Sequence, residues 1–177
     1  MNLNVAYYSY DINSRKTTTY LKDFDHYTQD LFVYSDDYFL FAAYDNQTLK
    51  LYTCDMATGK VTAQTGNGVY VELVGNLHSV EKLIVKASNT TIPPALFSLD
   101  LKTWKMEHLE TVNAEFMSQF EMHSSTRFSF PGWNNENVEG WLHRPVGFDP
   151  SKKYPAIVMI HGGPNAEEWD NRFYADS

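Results

Sequence analysis

The residues best suited to chemistry in this sequence are His161-Gly162-Gly163-Pro164, which directly follow the apolar run Ala156–Ile160. Glycine lacks a side chain, so two consecutive glycines let the backbone turn sharply and bring its N–H groups close to a ligand. The pattern predicts a loop whose backbone contacts a ligand, with Gly162 and Gly163 as the candidate residues. An ordinary turn between a strand and a helix is the alternative interpretation.

The elements that must position this loop can be predicted from the residues on either side. Ala156–Ile160 has no polar alternation, which is typical of a strand buried on both faces of a mostly parallel sheet. Sheets of this kind place their chemistry at the carboxyl ends of their strands. A helix is predicted after the loop, with Asn165 as its cap and Glu168 in capping-box spacing. Trp169 and Phe173 would share one face of that helix.

A repeat precedes this region of the chain. Leu51–Lys60 matches Leu96–Lys105 position for position, and Tyr7–Lys16 is a third, looser copy. Each copy alternates apolar and polar residues up to an aspartate and then enters a turn, which predicts a strand, a hairpin turn and an outgoing strand. The aligned aspartates, 44 and 45 residues apart, are Asp11, Asp55 and Asp100.

Further strands complete each period of the repeat. The strand pairs predicted before the last two copies are Asp30–Ser35 with Tyr38–Tyr44 and Val69–Val74 with Lys82–Lys86. The outgoing strands predicted after these copies are Lys60–Thr65 and Lys105–Leu109. Four short strands per period of about 44 residues are typical of β-propeller blades. The chain would hold two complete blades and the tail of another, and we expect something else to complete the propeller. A β-sandwich with coincidental internal similarity is the alternative.

The propeller pattern lapses between Glu110 and Ser125, which we interpret as the crossover to a second domain. Thr126–Pro131 and Val138–Pro145 then predict an antiparallel strand pair, joined by a turn over residues 132–137. A proline-rich loop at 145–155 leads into the apolar run described above.

Composition and charge exclude several classes of function. The 177 residues are 43% hydrophobic and carry a net charge of −8, which argues for a packed core and against a nucleic-acid surface. No apolar run approaches the roughly 18 residues of a membrane span, and the first residues lack the pattern of a signal peptide. The histidines show no metal-ligand spacing, so we expect neither a metal nor another cofactor. The single cysteine, Cys54, aligns with Leu99 and is expected in the core; a cytoplasmic location is the default expectation.

The order of these elements resembles the junction between the two domains of the prolyl oligopeptidase family of serine peptidases, and most closely its acylaminoacyl-peptidase-like branch. Pro93–Phe97, leading into Leu99-Asp100, resembles the last blade of such propellers. The strongest matches are Val138–Leu142 with Arg144-Pro145, Phe148-Asp149-Pro150, Lys153-Tyr154-Pro155 and His161–Pro164.

The resemblance implies a mixed fold, with a partial all-β propeller of about two to three blades at residues 1–122 and the first strands of an α/β-hydrolase domain at 123–177. It further implies a peptidase in which a serine attacks a peptide carbonyl with help from a histidine and an aspartate. Gly163 would donate one backbone N–H to the oxyanion, and Gly162 would shape the approach. His161 would orient the loop through a hydrogen bond and would not act as the base.

The triad itself is not expected in these residues. They contain no G-x-S-x-G pattern, and in α/β-hydrolases the triad follows the glycine loop. Ser177 has no such surroundings and is not a candidate. We therefore expect this chain alone to be inactive. Its expected partners are a peptide substrate and either the remainder of the peptidase or another copy of the chain, without nucleic acid or membrane.

Two alternatives remain open from the sequence. The intact protein could be an esterase or a dipeptidyl peptidase of the wider family, although the paired glutamates with which dipeptidyl peptidases bind a free amino terminus are not recognisable in the blades present. The other alternative is an inactive, truncated propeller that acts only as a binding module.

Overall fold

The computed structural model describes residues 5–77, 81–160, 162 and 169–174, and these residues are almost entirely in β-strands and loops. One short helix, α1, covers Ala114–Met117, and a single 3₁₀ turn covers Trp133–Asn135. The strands are β1 (Tyr7–Asp11), β2 (Lys16–Tyr20), β3 (Thr28–Val33), β4 (Tyr38–Tyr44), β5 (Leu49–Asp55), β6 (Val61–Ala63), β7 (Tyr70–Leu77), β8 (Lys82–Asn89), β9 (Ile92–Asp100), β10 (Met106–His108), β11 (Thr126–Pro131) and β12 (Asn137–Leu142).

The strands form two antiparallel sheets of four and two hairpins. The first blade has the order β3-β4-β5-β6, and the second blade has the order β10-β9-β8-β7. The hairpin β1-β2 stands before the first blade, and the hairpin β11-β12 follows the second. Four consecutive antiparallel strands in each period confirm the predicted repeat, and the arrangement is compatible with a partial β-propeller.

The main core lies between the two blades. Alternate side chains of a strand point to opposite faces of its sheet, so one face of each blade can pack on the other. The buried residues in this cluster are Leu40, Ala42, Leu49, Leu51, Tyr70, Val71, Leu83, Val85, Ala87 and Leu99. A second cluster fills the opposite face of the first blade with Tyr20, Leu21, Phe39, Phe41, Ala43, Tyr52 and Cys54. The prediction that Cys54 is a core residue like Leu99 is confirmed, since both are fully buried.

The aspartates that define the repeat close the turn that follows each strand. In the middle copy Asp55 Oδ1 accepts hydrogen bonds from the backbone N–H groups of Ala57 (2.9 Å) and Thr58 (2.8 Å). Asp11 and Asp100 accept the equivalent pair of bonds in their own copies. Short carboxylate side chains favour such turns because they satisfy the backbone two and three residues ahead. The spacing of the repeat therefore reflects a recurring turn.

These turns predict a loss of stability in acid. The backbone N–H groups that bind Asp11, Asp55 and Asp100 hold the pKa of each carboxyl below its ordinary value. A group with a lowered pKa in the folded state contributes stability that is complete above its unfolded pKa of about 3.9 and is lost as the pH falls through the folded value. We expect the thermal midpoint to fall steeply below about pH 4, and Asp100→Asn to make that fall shallower.

Circular dichroism melts between pH 3 and pH 7 would measure this effect. Asp36→Asn is the matched control, because Asp36 is an exposed residue outside the three turns. Equal pH slopes for Asp100→Asn and Asp36→Asn would contradict the role given to the turn.

The first strand expected of a second domain is not formed. Residues 153–160 adopt no regular structure, and Ile157, Val158 and Ile160 are 91%, 82% and 86% exposed, so the buried strand predicted at Ala156–Ile160 is not confirmed by this structure. A strand in the middle of a parallel sheet needs hydrogen-bonded neighbours on both sides and helices on both faces. The described residues supply none of these neighbours for the apolar run.

The helix predicted after the glycine loop is likewise not seen where the structure describes the chain. Trp169 and Phe173 lie in an irregular segment, while Asn165 and Glu168 are outside the described residues. The antiparallel pair predicted before the loop is confirmed as β11 and β12, with Thr126 opposite Leu142 and Pro131 opposite Asn137.

Candidate functional site

The two candidate glycines of the loop differ in what the structure says of them. Gly162 is exposed and belongs to no helix or strand, and a Cβ added there would meet no other atom within 4 Å. The described surroundings therefore give no steric reason for glycine at position 162. Gly163 lies outside the described residues, as does His161. The oxyanion role of the loop stays a prediction.

The proline-rich loop before the glycines is locally packed. The Phe148 and Tyr154 rings lie with their centroids 5.2 Å apart, and the guanidinium of Arg144 lies 5.4 Å from the centroid of the Phe148 ring. Asp149 donates its backbone N–H to the Tyr154 hydroxyl at 3.0 Å and accepts a bond from the Ser151 N–H at 2.9 Å. These residues belong to the motifs that carry the family resemblance. Their contacts give them a structural role, in which they fix the direction of the chain toward the apolar run.

A glycine in the hairpin β11-β12 lies under an aromatic ring. Gly140 lies opposite Phe128, and a Cβ at position 140 would come within 2.7 Å of the Phe128 ring. Aromatic residues cover glycines in this way across antiparallel pairs. A larger residue at the centre of the motif Val138–Leu142 would therefore require the Phe128 ring to move.

The hairpin is attached to the first blade by one arginine. Arg127 pairs with Glu139 across the hairpin, and its other terminal nitrogen donates to Asn46 Oδ1 at 3.1 Å. Asn46 lies in the turn between β4 and β5, far away in sequence. The contact links the chain after the propeller pattern to a blade within it.

The segment that follows the glycine loop, residues 169–174, also contacts the first blade. The backbone N–H of Asn171 donates to the carbonyl oxygen of Gln47 at 3.1 Å, and its side-chain amide donates to the carbonyl oxygen of Asn67 at 3.0 Å. Asp170 and Asn171 are among the buried polar residues of the chain. Sequence reasoning missed this contact, because its partners lie more than 100 residues away and form no recognisable motif.

The same segment contains an ion pair with a buried carboxylate. The Asp170 carboxylate is fully buried and pairs with Arg172 Nε at 3.3 Å. Burial raises the pKa of the Asp170 carboxyl above its ordinary value, while its hydrogen bond from the Arg172 N–H and the charge of that residue oppose the shift. Within the described residues, Asp170 Oδ2 and Asn171 Oδ1 have no hydrogen-bond partner. Buried polar atoms without a partner are rare in folded proteins, so these two oxygens are exceptional among the described residues.

Two other kinds of site can be reported for the part of the chain that the structure describes. It contains no group of three or more histidine, cysteine, aspartate or glutamate residues placed to hold a metal ion. It also contains no helix that is both long enough and apolar enough to span a membrane.

Comparison with known proteins identifies peptidases as relatives. The chain is 29% identical over 103 residues to dipeptidyl-peptidase 5 of Schizosaccharomyces pombe, which covers 54% of this chain and 15% of that protein. Among solved structures it is similar to acylaminoacyl peptidase of Pyrococcus horikoshii, with a TM-score of 0.71 and 20% identity over 90% of this chain and 24% of that one.

A second structure, of an acylaminoacyl peptidase in complex with Z-Gly-Gly-Phe-chloromethyl ketone, matches with a TM-score of 0.75 and 20% identity over 96% of this chain and 25% of that one. No protein-family model matches the chain. The chain thus spans about a quarter or less of the length of each of these proteins.

Proposed function

We propose that the chain is a segment of a serine peptidase that hydrolyses short peptides. The relatives described above confirm the predicted resemblance to the prolyl oligopeptidase family of serine peptidases. The observation that carries the proposal is the 29% identity over 103 residues to a dipeptidyl peptidase. The motifs from Val138 to Pro164 also support it, because they follow one another in the order of the family.

In this proposal the first 122 residues belong to a propeller that restricts access to the active site. Residues 123–177 would begin the catalytic domain, and Gly163 would donate a backbone N–H to the oxyanion of the tetrahedral intermediate. The serine, aspartate and histidine of the triad would come from the rest of a longer protein. This is consistent with a chain that spans 15% of the yeast relative.

The exposed apolar run supports a larger catalytic domain. Burying a valine, isoleucine or methionine side chain contributes about 1.5–3 kcal/mol relative to leaving it in water. Ile157, Val158 and Ile160 forgo that contribution in the present structure. We infer that Ala156–Ile160 pairs with strands of the remaining domain and becomes a buried strand of its sheet, which would place the glycine loop at the carboxyl end of that strand.

Labelling with a fluorophosphonate probe, which reacts with activated serines, tests this proposal. We expect the full-length protein to be labelled and a polypeptide of residues 1–177 to remain unlabelled, because these residues contain no G-x-S-x-G pattern. Heat-denatured full-length protein is the control for non-specific reaction. An unlabelled full-length protein would favour a binding module, and labelling of residues 1–177 would overturn the assignment of the triad to the remainder.

The substrate class within the family needs a separate measurement. The sequence relatives include dipeptidyl peptidases, whereas the two structural relatives described above are acylaminoacyl peptidases. Hydrolysis of amino-blocked peptides by the full-length protein would favour an oligopeptidase or acylaminoacyl-peptidase activity. Hydrolysis restricted to peptides with a free amino terminus would favour a dipeptidyl peptidase, and cleavage of simple esters alone would favour an esterase.

A further inference from the structure

Two later parts of the chain form hydrogen bonds with one turn of the first blade. Asp45–Thr48 connects β4 to β5, with reciprocal backbone bonds between Asp45 and Thr48 of 3.0 and 3.3 Å. Its side-chain contact with Arg127 and its backbone contact with Asn171 join it to β11 and to the segment 169–174. Because both β11 and the segment 169–174 contact this turn, it is a candidate for a surface that holds these later parts of the chain on the blade.

The backbone of the turn is held in an uncommon conformation. Asn46 and Gln47 have φ values of 54° and 57°, so both central residues are left-handed, as in a type I′ turn. Glycine is the usual residue in this left-handed region and asparagine is tolerated there, whereas glutamine adopts it rarely. Left-handed residues other than glycine persist where their surroundings hold them and often mark functional positions. Here the Gln47 carbonyl is the acceptor for the Asn171 N–H.

Charged and polar side chains make the turn rigid. The Asp45 carboxylate accepts hydrogen bonds from Lys50 Nζ at 2.5 Å and from the Tyr52 hydroxyl at 3.0 Å, and its second oxygen accepts one from Asn46 Nδ2 at 2.6 Å. Lys50 is itself buried. Since a buried ion pair requires close geometry to offset its desolvation, the network fixes the position of the turn within the blade.

The segment 169–174 reaches the second blade as well. The guanidinium of Arg172 lies near two tyrosine rings, 5.6 Å from the centroid of Tyr70 and 5.1 Å from that of Tyr174. Tyr70 belongs to β7, and its hydroxyl is 3.0 Å from the hydroxyl of Tyr44 at the end of β4. The segment therefore lies across the seam between the two blades, and its position depends on both.

We propose that the turn Asp45–Thr48 together with Tyr70 forms the seat on which the chain after the glycine loop docks, with Asn171 and Arg172 as positioning residues for that loop. Asn171 follows Gly163 by only eight positions. Because an extended chain spans at most about 3.6 Å per residue, docking Asn171 on the propeller would set an upper limit on the distance of Gly163 from it, and in this way the propeller would help to place the oxyanion donor. Only the expected effect of this docking on the rate of hydrolysis rests on the proposed function. Such an effect is expected because displacement of reacting groups by about 1 Å can lower a rate by about 10²-fold.

Hydrogen exchange of residues 1–177, followed by mass spectrometry of the peptide spanning 169–174, tests the docking without any activity. We expect this peptide to be protected and Asn171→Ala to speed its exchange by about tenfold, the effect of losing about one hydrogen bond. Asn13→Ala, at an exposed asparagine in the β1-β2 turn, is the control and should change nothing in this peptide. An unprotected peptide in the wild type, or equal exchange in both variants, would overturn the seat.

Kinetics of the full-length protein test the positioning role. We expect Asn171→Ala to lower kcat by about 10- to 100-fold while KM changes by less than about threefold. Arg172→Lys should retain more activity than Arg172→Met, because a lysine preserves a positive charge near the two tyrosines. Unchanged kcat in a variant that has lost its protection would overturn the positioning role. A full-length wild type without hydrolytic activity would overturn the proposed function instead, and the exchange data would then decide the seat by themselves.

Discussion

Gly163→Val in the full-length protein is expected to lower kcat by about 10²- to 10³-fold, the range observed when one oxyanion donor is lost. A β-branched side chain at this position would restrict the backbone and occupy the space that the substrate carbonyl needs, so the N–H could no longer reach the oxyanion. The effect should fall on kcat and kcat/KM alike, because the bond to the oxyanion is made only in the transition state.

Steady-state kinetics with an activated peptide substrate would measure this loss. Gly66→Ala is the control, because a Cβ added to Gly66 in the propeller contacts no other atom within 4 Å. The control should keep the kcat of the wild type. If Gly163→Val also kept that kcat, Gly163 could not be an oxyanion donor, and the loop would be an ordinary turn.

Leu83→Ala is expected to lower the free energy of unfolding of residues 1–177 by about 2–5 kcal/mol. Leu83 is fully buried in the cluster between the two blades, where Leu40, Leu51 and Val85 also lie. Truncation removes apolar contacts and leaves a cavity that the paired sheets cannot easily close. The same change would weaken the seam across which residues 169–174 lie.

Urea unfolding followed by circular dichroism would give this value. Leu109→Ala removes the same atoms from a side chain that is 52% exposed, and it should cost less than about 0.5 kcal/mol. Equal losses for the two leucines would mean that the blades do not pack on each other in solution.

The local elements could be predicted from the sequence with small errors at their ends. Tyr38–Tyr44 and Thr126–Pro131 match the observed strands, while the strand predicted at Val69–Val74 extends to Leu77. Strand alternation and turn residues act over a few positions, so they can be read without knowing what lies beside them. The aligned aspartates predicted recurring turns for the same reason, and each closes one through its own neighbours.

The strand prediction that the structure does not confirm is one that depends on distant partners. Ala156–Ile160 has the composition of a buried strand, yet it is irregular and exposed, because an apolar run acquires a sheet only from strands elsewhere in the protein. The docking of Asn171 was missed for the related reason that its acceptors are backbone carbonyls, which have no sequence signature.

The sequence by itself determined the strands and turns of the repeat, the hairpin that follows it and the position of the glycine loop in the chain, since each of these depends on residues close together. Only the tertiary structure decided that the two blades share a core, that Asp45–Thr48 receives both Arg127 and Asn171, and that Ala156–Ile160 is left exposed. These features depend on which distant surfaces meet. Contacts of that kind are selected by shape and by hydrogen-bond geometry across the folded chain.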